Sequence, residues 1–246
     1  MKGSKKRLDM LVLAAGLAES REQARRLILA GQIRIAGHPA TKAGNLYPVD
    51  SVLERVAGAR FVSRGGEKLE AAFESFGLEV TGLDCLDVGS STGGFTDCLL
   101  QHGAGRVVAL DVGRAQLHQK LREDPRVTVM EGFNARHLTA EDLPFVPQVA
   151  VTDVAFISLT LILPPMVEVL AAGGTLVGLI KPQFEAGREQ VKRGGVVRDP
   201  AVHEEVVERV TGFAREELGL KLTRVVKSPL LGPKGNTEFL ACWKKP

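Results

Sequence analysis

The sequence predicts an α/β fold in which a Rossmann-like, mostly parallel sheet follows a small N-terminal α+β module. From residue 83 onward, short apolar segments typical of buried strands alternate with amphipathic helical segments, which is the pattern of a doubly wound sheet. Residues 1–64 carry 12 Lys and Arg against 5 Asp and Glu, a net charge of +7, whereas residues 65–246 carry −4. This asymmetry separates a basic module from a mildly acidic domain. We place the module at residues 1–58, a linker at 59–66 and the sheet domain at 67–246.

The basic module is expected to open with two short helices. Apolar residues at helical spacing predict the first over 5–15, with Gly16 as its C-terminal stop. The second begins at Ser20, where the Gln23 side chain is expected to return to the Ser20 backbone in a capping box, and it ends at Gly31. Two strands are expected at 33–35 and 49–56.

The charge of the module favours an anionic partner, although a solubilising N-terminal arm would carry the same charge. Two short helices followed by a turn and strands resemble the alpha-L RNA-binding motif. The residues that carry the resemblance are Arg7-Leu8-Asp9, Ser20-Arg21-x-x-Ala24-Arg25 and the run 28–37. It implies that basic side chains bind RNA phosphates, which give affinity and register without reading sequence. The expected RNA contacts are Lys6, Arg7, Arg21, Arg25, Lys42 and Arg64, with Arg136 and the pair Lys192-Arg193 as basic patches in the sheet domain.

The first helix of the sheet domain is expected from Gly66, with Lys68 in its first turn. A cation there opposes the helix dipole, so Lys68 is either a functional group or an ordinary solvated lysine. The predicted strands are 85–88, 107–112, 127–131, 149–156, 175–181, 222–228 and 238–243, and further helices are expected near 94–102, 115–123, 159–171 and 200–218. Because only a short connection separates the last two strands, we expect an antiparallel edge.

The most informative segment is the glycine-rich connection 87–95, Asp-Val-Gly-Ser-Ser-Thr-Gly-Gly-Phe, which follows a strand and leads into a helix. Ser91 occupies the second glycine position of G-x-G-x-x-G, and the P-loop pattern is also missing, so dinucleotide and P-loop interpretations are disfavoured. The segment resembles the D-x-G-x-x-x-G-G-F loop of S-adenosylmethionine-dependent methyltransferases. In that resemblance the backbone supports the methionine part of the cofactor, and Asp87 could accept a hydrogen bond from its amino group.

A second signal is Asp111, which ends the next predicted strand 24 residues after Asp87. An acidic residue there can accept hydrogen bonds from both ribose hydroxyls of a nucleoside cofactor. A structural turn followed by a chance acid is the alternative. The expected cofactor contacts are Asp87, Gly89, Ser90, Ser91, Gly93, Gly94, Phe95, Asp111 and Asn134.

Three more polar residues stand where strands begin or end: Asp153, Lys181 and Glu238. Ligands of open α/β sheets lie outside the carboxyl ends of parallel strands, so Asp153 and Lys181 are expected to face the cofactor crevice. A buried salt bridge between lysine and carboxylate is the structural alternative.

With Lys68 added, the set Lys68, Asp153, Lys181 and Glu238 resembles the Lys-Asp-Lys-Glu tetrad of the FtsJ-like RNA 2′-O-methyltransferases. The segments Ser-Arg-Gly-Gly-Glu-Lys-Leu, Ala-Leu-Asp-Val-Gly and Ile-Lys-Pro-Gln-Phe-Glu extend the similarity to the TlyA family over nearly the whole chain. The resemblance implies methyl transfer from S-adenosylmethionine to the ribose 2′-hydroxyl of cytidines in ribosomal RNA.

Lys181 is the expected base, with Asp153 as the orienting group near the methyl and Lys68 and Glu238 as tuning and positioning groups. Lys68 and the sulfonium of the cofactor are expected to favour the neutral form of Lys181, and the two carboxylates its charged form. No metal is expected, because the histidines form no ligand spacing.

Composition argues against an exported or membrane protein. Cys85, Cys98 and Cys242 form no C-x-x-C pair, so a cytoplasmic protein without disulfides is expected. The N-terminus lacks the apolar segment of a secretory signal. The apolar stretch 154–180 is interrupted by Pro164-Pro165 and Gly173-Gly174, which favours strand, helix and strand over a membrane span.

Two other functions compete with the methyltransferase hypothesis. A non-catalytic RNA-binding or ribosome-assembly factor would predict a damaged tetrad or cofactor loop, and both are intact in this sequence. A cytolysin, which the historical hemolysin label of the TlyA family suggests, would need an export signal and a membrane-inserting segment. Neither the modified nucleotide nor the oligomeric state can be predicted.

Overall fold

The computed structural model describes residues 4–56, 58–187, 189–192 and 194–246. The chain forms two compact units, Met1–Arg60 and Phe61–Pro246. Among the described residues, every helix is too short or too polar to cross a membrane.

The N-terminal unit is a small α+β fold. Its elements are β1 (Lys5–Arg7), α1 (Leu8–Ala14), α2 (Arg21–Leu29), β2 (Ile33–Ile35), β3 (His38–Pro39), β4 (Leu46–Pro48) and β5 (Leu53–Arg55). β1 pairs with β4, and β2 lies between β3 and β5, all antiparallel. Leu8, Val12, Ile28 and Ile33 are fully buried and form the core under both helices.

The second unit is built around a seven-stranded sheet. Its strands are β6 (Asp84–Val88), β7 (Arg106–Asp111), β8 (Val127–Glu131), β9 (Val149–Thr152), β10 (Thr175–Ile180), β11 (Lys221–Lys227) and β12 (Phe239–Lys244), in the order β11-β12-β10-β9-β6-β7-β8. β6 to β10 run parallel, and β12 is antiparallel to both neighbours. Its helices are α3 (Gly65–Phe76), α4 (Gly94–Gln101), α5 (Gln119–Arg122), α6 (Leu163–Val169), α7 (Pro182–Glu185) and α8 (Pro200–Glu216).

Apolar layers bury both faces of the sheet. One layer joins Leu163 of α6 and Val206 of α8 to Trp243 of β12, and the other joins Leu69 of α3 and Leu99 of α4 to the opposite faces of the strands. Burial on both faces explains why the sequence around β10 is almost continuously apolar. The parallel strands also share one carboxyl edge, so the residues that follow them converge there.

Glycines let α3 and α4 begin side by side. A Cβ placed on Gly94 would lie 2.7 Å from the backbone N of Gly66 and 3.0 Å from Cα of Gly65, closer than a packed methyl group tolerates. The two N-termini therefore meet through backbone, and this contact brings the first turn of α3 toward the glycine-rich connection.

The α/β fold class is confirmed, and the local differences have physical causes. The first helix begins at Leu8 and not at residue 5, because 5–7 pair with β4 as β1. The expected capping box is wrong in one half: Ser20 Oγ accepts from the Gln23 N–H, but Gln23 Oε1 accepts from the N–H of Glu19.

Three predicted elements are shorter than expected. The helix near 115–123 shrinks to α5, because three preceding N–H groups donate to the Glu131 carboxylate and not to helical carbonyls. The strand at 149–156 stops at Thr152, and the one at 49–56 is only β5. The helix at 159–171 divides into a 3₁₀ turn, Leu159–Leu161, and α6. The last two strands do pair antiparallel, with β12 inserted between β10 and the edge strand β11.

Gly94→Ala is expected to lower the free energy of unfolding of the second unit by about 1–3 kcal/mol, because the new methyl group must push α3 and α4 apart. Gly212→Ala in α8 is the matched control: its nearest neighbour atom would lie 3.8 Å away, so a change between zero and about 1 kcal/mol of stabilisation is expected. Urea unfolding followed by the fluorescence of Trp243, the single tryptophan, measures both. Equal effects of the two substitutions would contradict the close-contact argument.

Candidate functional site

A cavity of about 720 Å³ lies at the carboxyl edge of the parallel strands. This volume suits a small-molecule ligand. The predicted site residues in its lining are Lys68, Asp153, Lys181, Gly89, Ser90, Ser91, Gly94, Phe95, Asp111, Asn134, Arg64 and Arg136. Asp87, Gly93 and Glu238 are not part of the lining.

The four tetrad residues form one chain of ionic contacts. Glu238 Oε2 lies 2.6 Å from Lys68 Nζ, which lies 3.6 Å from Asp153 Oδ2. Asp153 Oδ1 lies 2.5 Å from Lys181 Nζ, and Lys181 also donates to the Asp153 carbonyl oxygen at 3.4 Å. Lys68 and Lys181 are more than nine-tenths buried, and Glu238 is completely buried. Negative and positive groups alternate, so each buried charge has an opposite neighbour.

Glu238 is the fixed end of this chain. Its Oε1 accepts a hydrogen bond from Gln183 Nε2 of α7 at 3.3 Å. On the other side Gly232 packs so closely against Oε1 that a Cβ at that position would overlap the carboxylate. Glycine at position 232 therefore leaves the space that the Glu238 carboxylate occupies beside Lys68. The negative charge of the Glu238 carboxylate also stabilises the Lys68 cation, which lies unfavourably near the positive end of the α3 dipole.

The glycine-rich connection between β6 and α4 is a tight turn with several left-handed residues. Gly89, Ser91 and Gly93 have φ angles of 83°, 48° and 98°. A Cβ at Gly89 would lie 3.0 Å from Val154, and one at Gly93 would lie 2.8 Å from Leu117. The left-handed conformation therefore favours glycine at both positions, and a side chain at either would also displace its neighbours.

Asp111 connects the glycine-rich turn to the loop that follows β7 through two hydrogen bonds. Its Oδ2 accepts from the N–H of Ser91 at 2.8 Å, and its Oδ1 accepts from the N–H of Gly113 at 2.7 Å. Each carboxylate oxygen has two acceptor positions, so one on each oxygen is left for a ligand hydroxyl. The carboxylate faces the cavity, as a bidentate ribose contact requires.

In the N-terminal unit, two of the predicted RNA-binding arginines share one buried partner. Arg7 donates two hydrogen bonds to the carboxylate of Asp9, at 3.1 and 3.0 Å, and Arg21 donates a third at 3.0 Å. Asp9 is fully buried, and the bonds from Arg7 contribute most to holding its pKa at about 2, below the usual range. Both guanidinium groups remain about half exposed and are held in fixed positions. Lys6, Arg25 and Lys42 are exposed.

Comparison with known proteins identifies the two units. The FtsJ-like methyltransferase family matches residues 61–245, and the S4 domain matches residues 6–51. The chain belongs to the FtsJ-like methyltransferase family. The S4 match lies where the sequence predicts the alpha-L module.

Full-length relatives share both parts. The 16S/23S rRNA (cytidine-2′-O)-methyltransferase TlyA of Mycobacterium tuberculosis is 46% identical, over 95% of this chain and 87% of that protein. Hemolysin A of Brachyspira hyodysenteriae is 46% identical, over 96% of this chain and 98% of that protein. A solved structure from Streptococcus thermophilus, provisionally described as a hemolysin, is 45% identical with a TM-score of 0.76 and covers 98% of this chain and 88% of that chain. The resemblance to the TlyA family is thus confirmed.

The FtsJ-like site contains features that sequence reasoning missed. Phe156 is 90% exposed, has a φ of 64° and lies at the cavity; its ring centre is 5.0 Å from that of Phe184. An exposed phenylalanine in a left-handed conformation is unusual for a fold-stabilising residue. The only sequence signal was an aromatic residue shortly after a strand end. Gln183 was also missed, because nothing in its pattern distinguishes it from a surface amide.

Two predicted RNA contacts of the FtsJ-like unit, Arg64 and Arg136, are exposed and line the cavity. Lys192 is exposed but is not part of the lining. Arg193 lies outside the described residues.

Asp87 supports the FtsJ-like cofactor loop from within the protein. It is completely buried, and Thr96 Oγ1 of α4 donates a hydrogen bond of 2.6 Å to its Oδ2. Burial raises the pKa of Asp87 from its ordinary value of 3.8 to about 7; Asp153 and Asp111 add to the shift, and the Thr96 bond opposes it. The folded protein therefore keeps a proton that the unfolded chain loses at lower pH.

This difference makes stability depend on pH. Between about pH 4 and pH 7 the unfolded chain binds fewer protons at Asp87 than the folded one, so stability falls as pH rises, by roughly 1.4 kcal/mol per unit. Asp87→Asn, which cannot ionise, is therefore expected to be more stable relative to wild type at pH 8 than at pH 4.5. Urea unfolding followed by Trp243 fluorescence at the two pH values tests this. The same stability difference at both would contradict the raised pKa.

Proposed function

We propose that this chain transfers a methyl group from S-adenosylmethionine to the 2′-hydroxyl of a cytidine in ribosomal RNA. The observation that carries the proposal is the continuous chain Glu238–Lys68–Asp153–Lys181 at a cavity whose other wall holds the glycine-rich connection and Asp111. Family membership and the relative named as a 16S/23S rRNA (cytidine-2′-O)-methyltransferase support the substrate. In this proposal the module 1–58 holds RNA and the second unit performs the chemistry. Residues 61–66 of the expected linker 59–66 belong to that unit, since Phe61 is buried in its core and α3 begins at Gly65. An RNA substrate and three buried cysteines that form no disulfide favour the cytoplasm.

The cavity fits the methyl donor. Its volume is in the range of cofactor sites, Asp111 presents acceptor positions for a ribose, and Ser90, Ser91 and Asn134 supply polar groups on the same side. When bound, S-adenosylmethionine supplies an electrophilic methyl group on a positively charged sulfonium, whose charge suits a cavity edged by Asp111 and Asp153.

Lys181 is the group that takes the proton. Bound S-adenosylmethionine would supply its methyl carbon to the hydroxyl oxygen and would retain the electron pair of the broken carbon–sulfur bond, and Lys181 Nζ would take the hydroxyl proton. The rate depends on holding oxygen and methyl in line at close range. Asp153 fixes the Lys181 ammonium through its carboxylate and its backbone carbonyl, so the lone pair of the neutral amine has a defined direction.

The tetrad lets Lys181 be neutral while both carboxylates keep a contact with the Lys68 cation. If Lys181 gives up its proton, Asp153 keeps Lys68 as a counter-ion at 3.6 Å, and Lys68 remains paired with Glu238 at 2.6 Å. A simple Lys–Asp pair would leave a lone carboxylate in this half-enclosed site, at a high cost in free energy. This is the physical reason for four residues instead of two.

Exposed groups around the cavity suit an RNA ligand. Arg64 and Arg136 offer cations for phosphates at its mouth. The exposed ring of Phe156 offers a face on which an unstacked base can lie, which is how proteins commonly hold a single nucleotide of RNA. A binding protein without catalysis would need neither a buried four-residue charge chain nor a nucleoside cavity.

Lys181→Arg is expected to lower the rate of methyl transfer at least 100-fold, because arginine keeps the cation beside Asp153 but does not accept a proton at neutral pH. Binding of cofactor and RNA should change less than about threefold, since a base acts mainly in the transition state. Transfer of radiolabelled methyl groups to ribosomal RNA is the assay.

Lys221→Arg on the exposed strand β11 is the matched control and should retain full activity. Activity of Lys181→Arg within tenfold of wild type would remove Lys181 from the role of base. Mapping of 2′-O-methylated positions in the product RNA tests the nucleotide, and methylation only at other residues would overturn the assignment to cytidine.

Replacing Arg21 and Arg25 together by glutamine in the full chain is expected to weaken RNA binding equally for any sequence, because phosphate contacts do not discriminate bases. The slope of log affinity against log salt should become shallower by roughly 1.4–1.8, since each lost phosphate contact removes about 0.7–0.9. Filter binding at several salt concentrations measures this. Lys221→Gln with Lys227→Gln is the charge-matched control, and an equal loss there would assign the effect to net charge alone.

A further inference from the structure

Glu131, the last residue of β8, was not among the predicted site residues, yet its carboxylate organises a whole loop. Its Oε2 accepts from the N–H of Ala115 at 2.8 Å, and its Oε1 accepts from the N–H groups of Gln116 and Leu117 at 3.0 and 3.1 Å. Arg122 of α5 adds a contact of 2.8 Å to Oε1. Three successive backbone N–H groups thus converge on one anion.

The loop conformation depends on that anion. Ala115 has a φ of 55°, a left-handed conformation that costs free energy for alanine. It turns the N–H groups of residues 115–117 to the same side, where they would repel one another without an acceptor. The four donors, with the Leu117 N–H contributing most, hold the pKa of Glu131 at about 2, well below its usual range. The carboxylate is therefore ionised throughout the physiological pH range.

The loop 115–117 that Glu131 holds forms part of the cavity wall through Gln116, although Glu131 is not a lining residue. Gln116 lines the cavity, and its Oε1 accepts from the hydroxyl of Ser91 at 3.3 Å. Leu117 fills the space beside Gly93. The next residue, His118, donates its backbone N–H to the carbonyl of Thr92 at 3.1 Å. Residues 116–118 thus brace the glycine-rich connection on the side of Asp111.

We propose that Glu131 is a positioning residue for the nucleoside half of the cofactor site. It holds residues 115–117 so that Gln116 and Leu117 support the Ser91–Gly93 turn, and it touches neither cofactor nor RNA. The inference rests on the proposed function, because it takes S-adenosylmethionine as the ligand of the cavity. Asp111, which faces the same turn, marks this half as the ribose side.

Glu131→Gln tests the inference, because the amide is the same size but offers one acceptor oxygen and sets an NH₂ group against backbone donors. The dissociation constants of S-adenosylmethionine and of S-adenosylhomocysteine should both rise at least tenfold in calorimetry. The rate at saturating cofactor should stay within about threefold of wild type, and RNA affinity should not change. Hydrogen exchange at the amides of residues 115–117 should accelerate, which is a readout independent of activity.

Two controls separate the loss of the backbone hydrogen bonds to the Glu131 carboxylate from other effects. Arg122→Gln removes one contact to Oε1 but leaves all three backbone bonds, so cofactor affinity should stay within about threefold. Glu208→Gln on the exposed face of α8 removes a negative charge elsewhere and should change nothing. If Glu131→Gln does not fold, Glu131→Asp carries the same test, since its shorter side chain keeps the charge but cannot reach all three N–H groups.

The outcomes distinguish this inference from the function on which it rests. Suppose the wild-type protein binds and uses S-adenosylmethionine. Unchanged cofactor affinity in Glu131→Gln and Glu131→Asp would then overturn the positioning role alone. Wild-type chain that binds no S-adenosylmethionine would overturn the proposed function and this inference together. A loss of RNA affinity equal to the loss of cofactor affinity would also overturn it, because the effect would then not be confined to the nucleoside half.

Discussion

A buried ammonium group must have an anion beside it, and this constraint at Lys68 organises the second unit. Lys68 lies near the positive end of α3, where a cation is disfavoured, and it is almost completely buried. Its closest anion, Glu238, lies 170 residues away in the chain and comes immediately before the antiparallel strand β12, which is inserted beside β10. The pair can form only if α3, β10 and β12 are all in place. Because Lys68 also reaches Asp153, the same contact orients the group that holds Lys181.

At the glycine-rich connection, glycine residues and carboxylates have complementary roles. Glycines at positions 89 and 93–94 allow the turn and the approach of α3 to α4, but glycine alone leaves a loop conformationally free. Carboxylates remove that freedom: Asp111 binds the N–H groups of Ser91 and Gly113, and Glu131 binds those of 115–117. The sheet thus places an acid at the end of each of two neighbouring strands, and each acid fixes a turn that faces the cavity.

The sequence carried enough information for the fold class, for the polar residues Asp111, Asp153 and Lys181 near the carboxyl ends of strands, and for the composition of the tetrad, although the strand expected at 149–156 ends before Asp153. The fold class and the strand ends depend on periodicity and on the rule that parallel strands share a carboxyl edge, whereas the tetrad as a set was identified by its resemblance to that of the FtsJ-like methyltransferases. Gln183, Gly232 and Phe156 could not be predicted, because their importance comes from partners that are distant in sequence or from a backbone conformation. The helix expected near 115–123 failed for a similar reason: its propensity is local, whereas Glu131, which captures its N–H groups, belongs to a later strand.

The acidic balance of the second unit does not oppose an RNA ligand at the cavity, because the acids in the cavity wall and among the residues behind it each contact a specific donor. Asp97 accepts from the N–H of Val62 at 2.9 Å and pairs with Lys120; Asp111 and Glu131 bind backbone N–H groups, and Asp153 and Glu238 bind lysines. Exposed charge at the cavity is supplied by Arg64 and Arg136. The second unit carries 21 Lys and Arg against 24 Asp and Glu, and this net charge of −3 describes the interior and the remote surface more than the mouth of the cavity. Since these two cations offer few phosphate contacts, the proposed function requires most of the sequence-independent RNA affinity to come from the basic S4 unit. The proposed chemistry could then be tuned without changing that affinity.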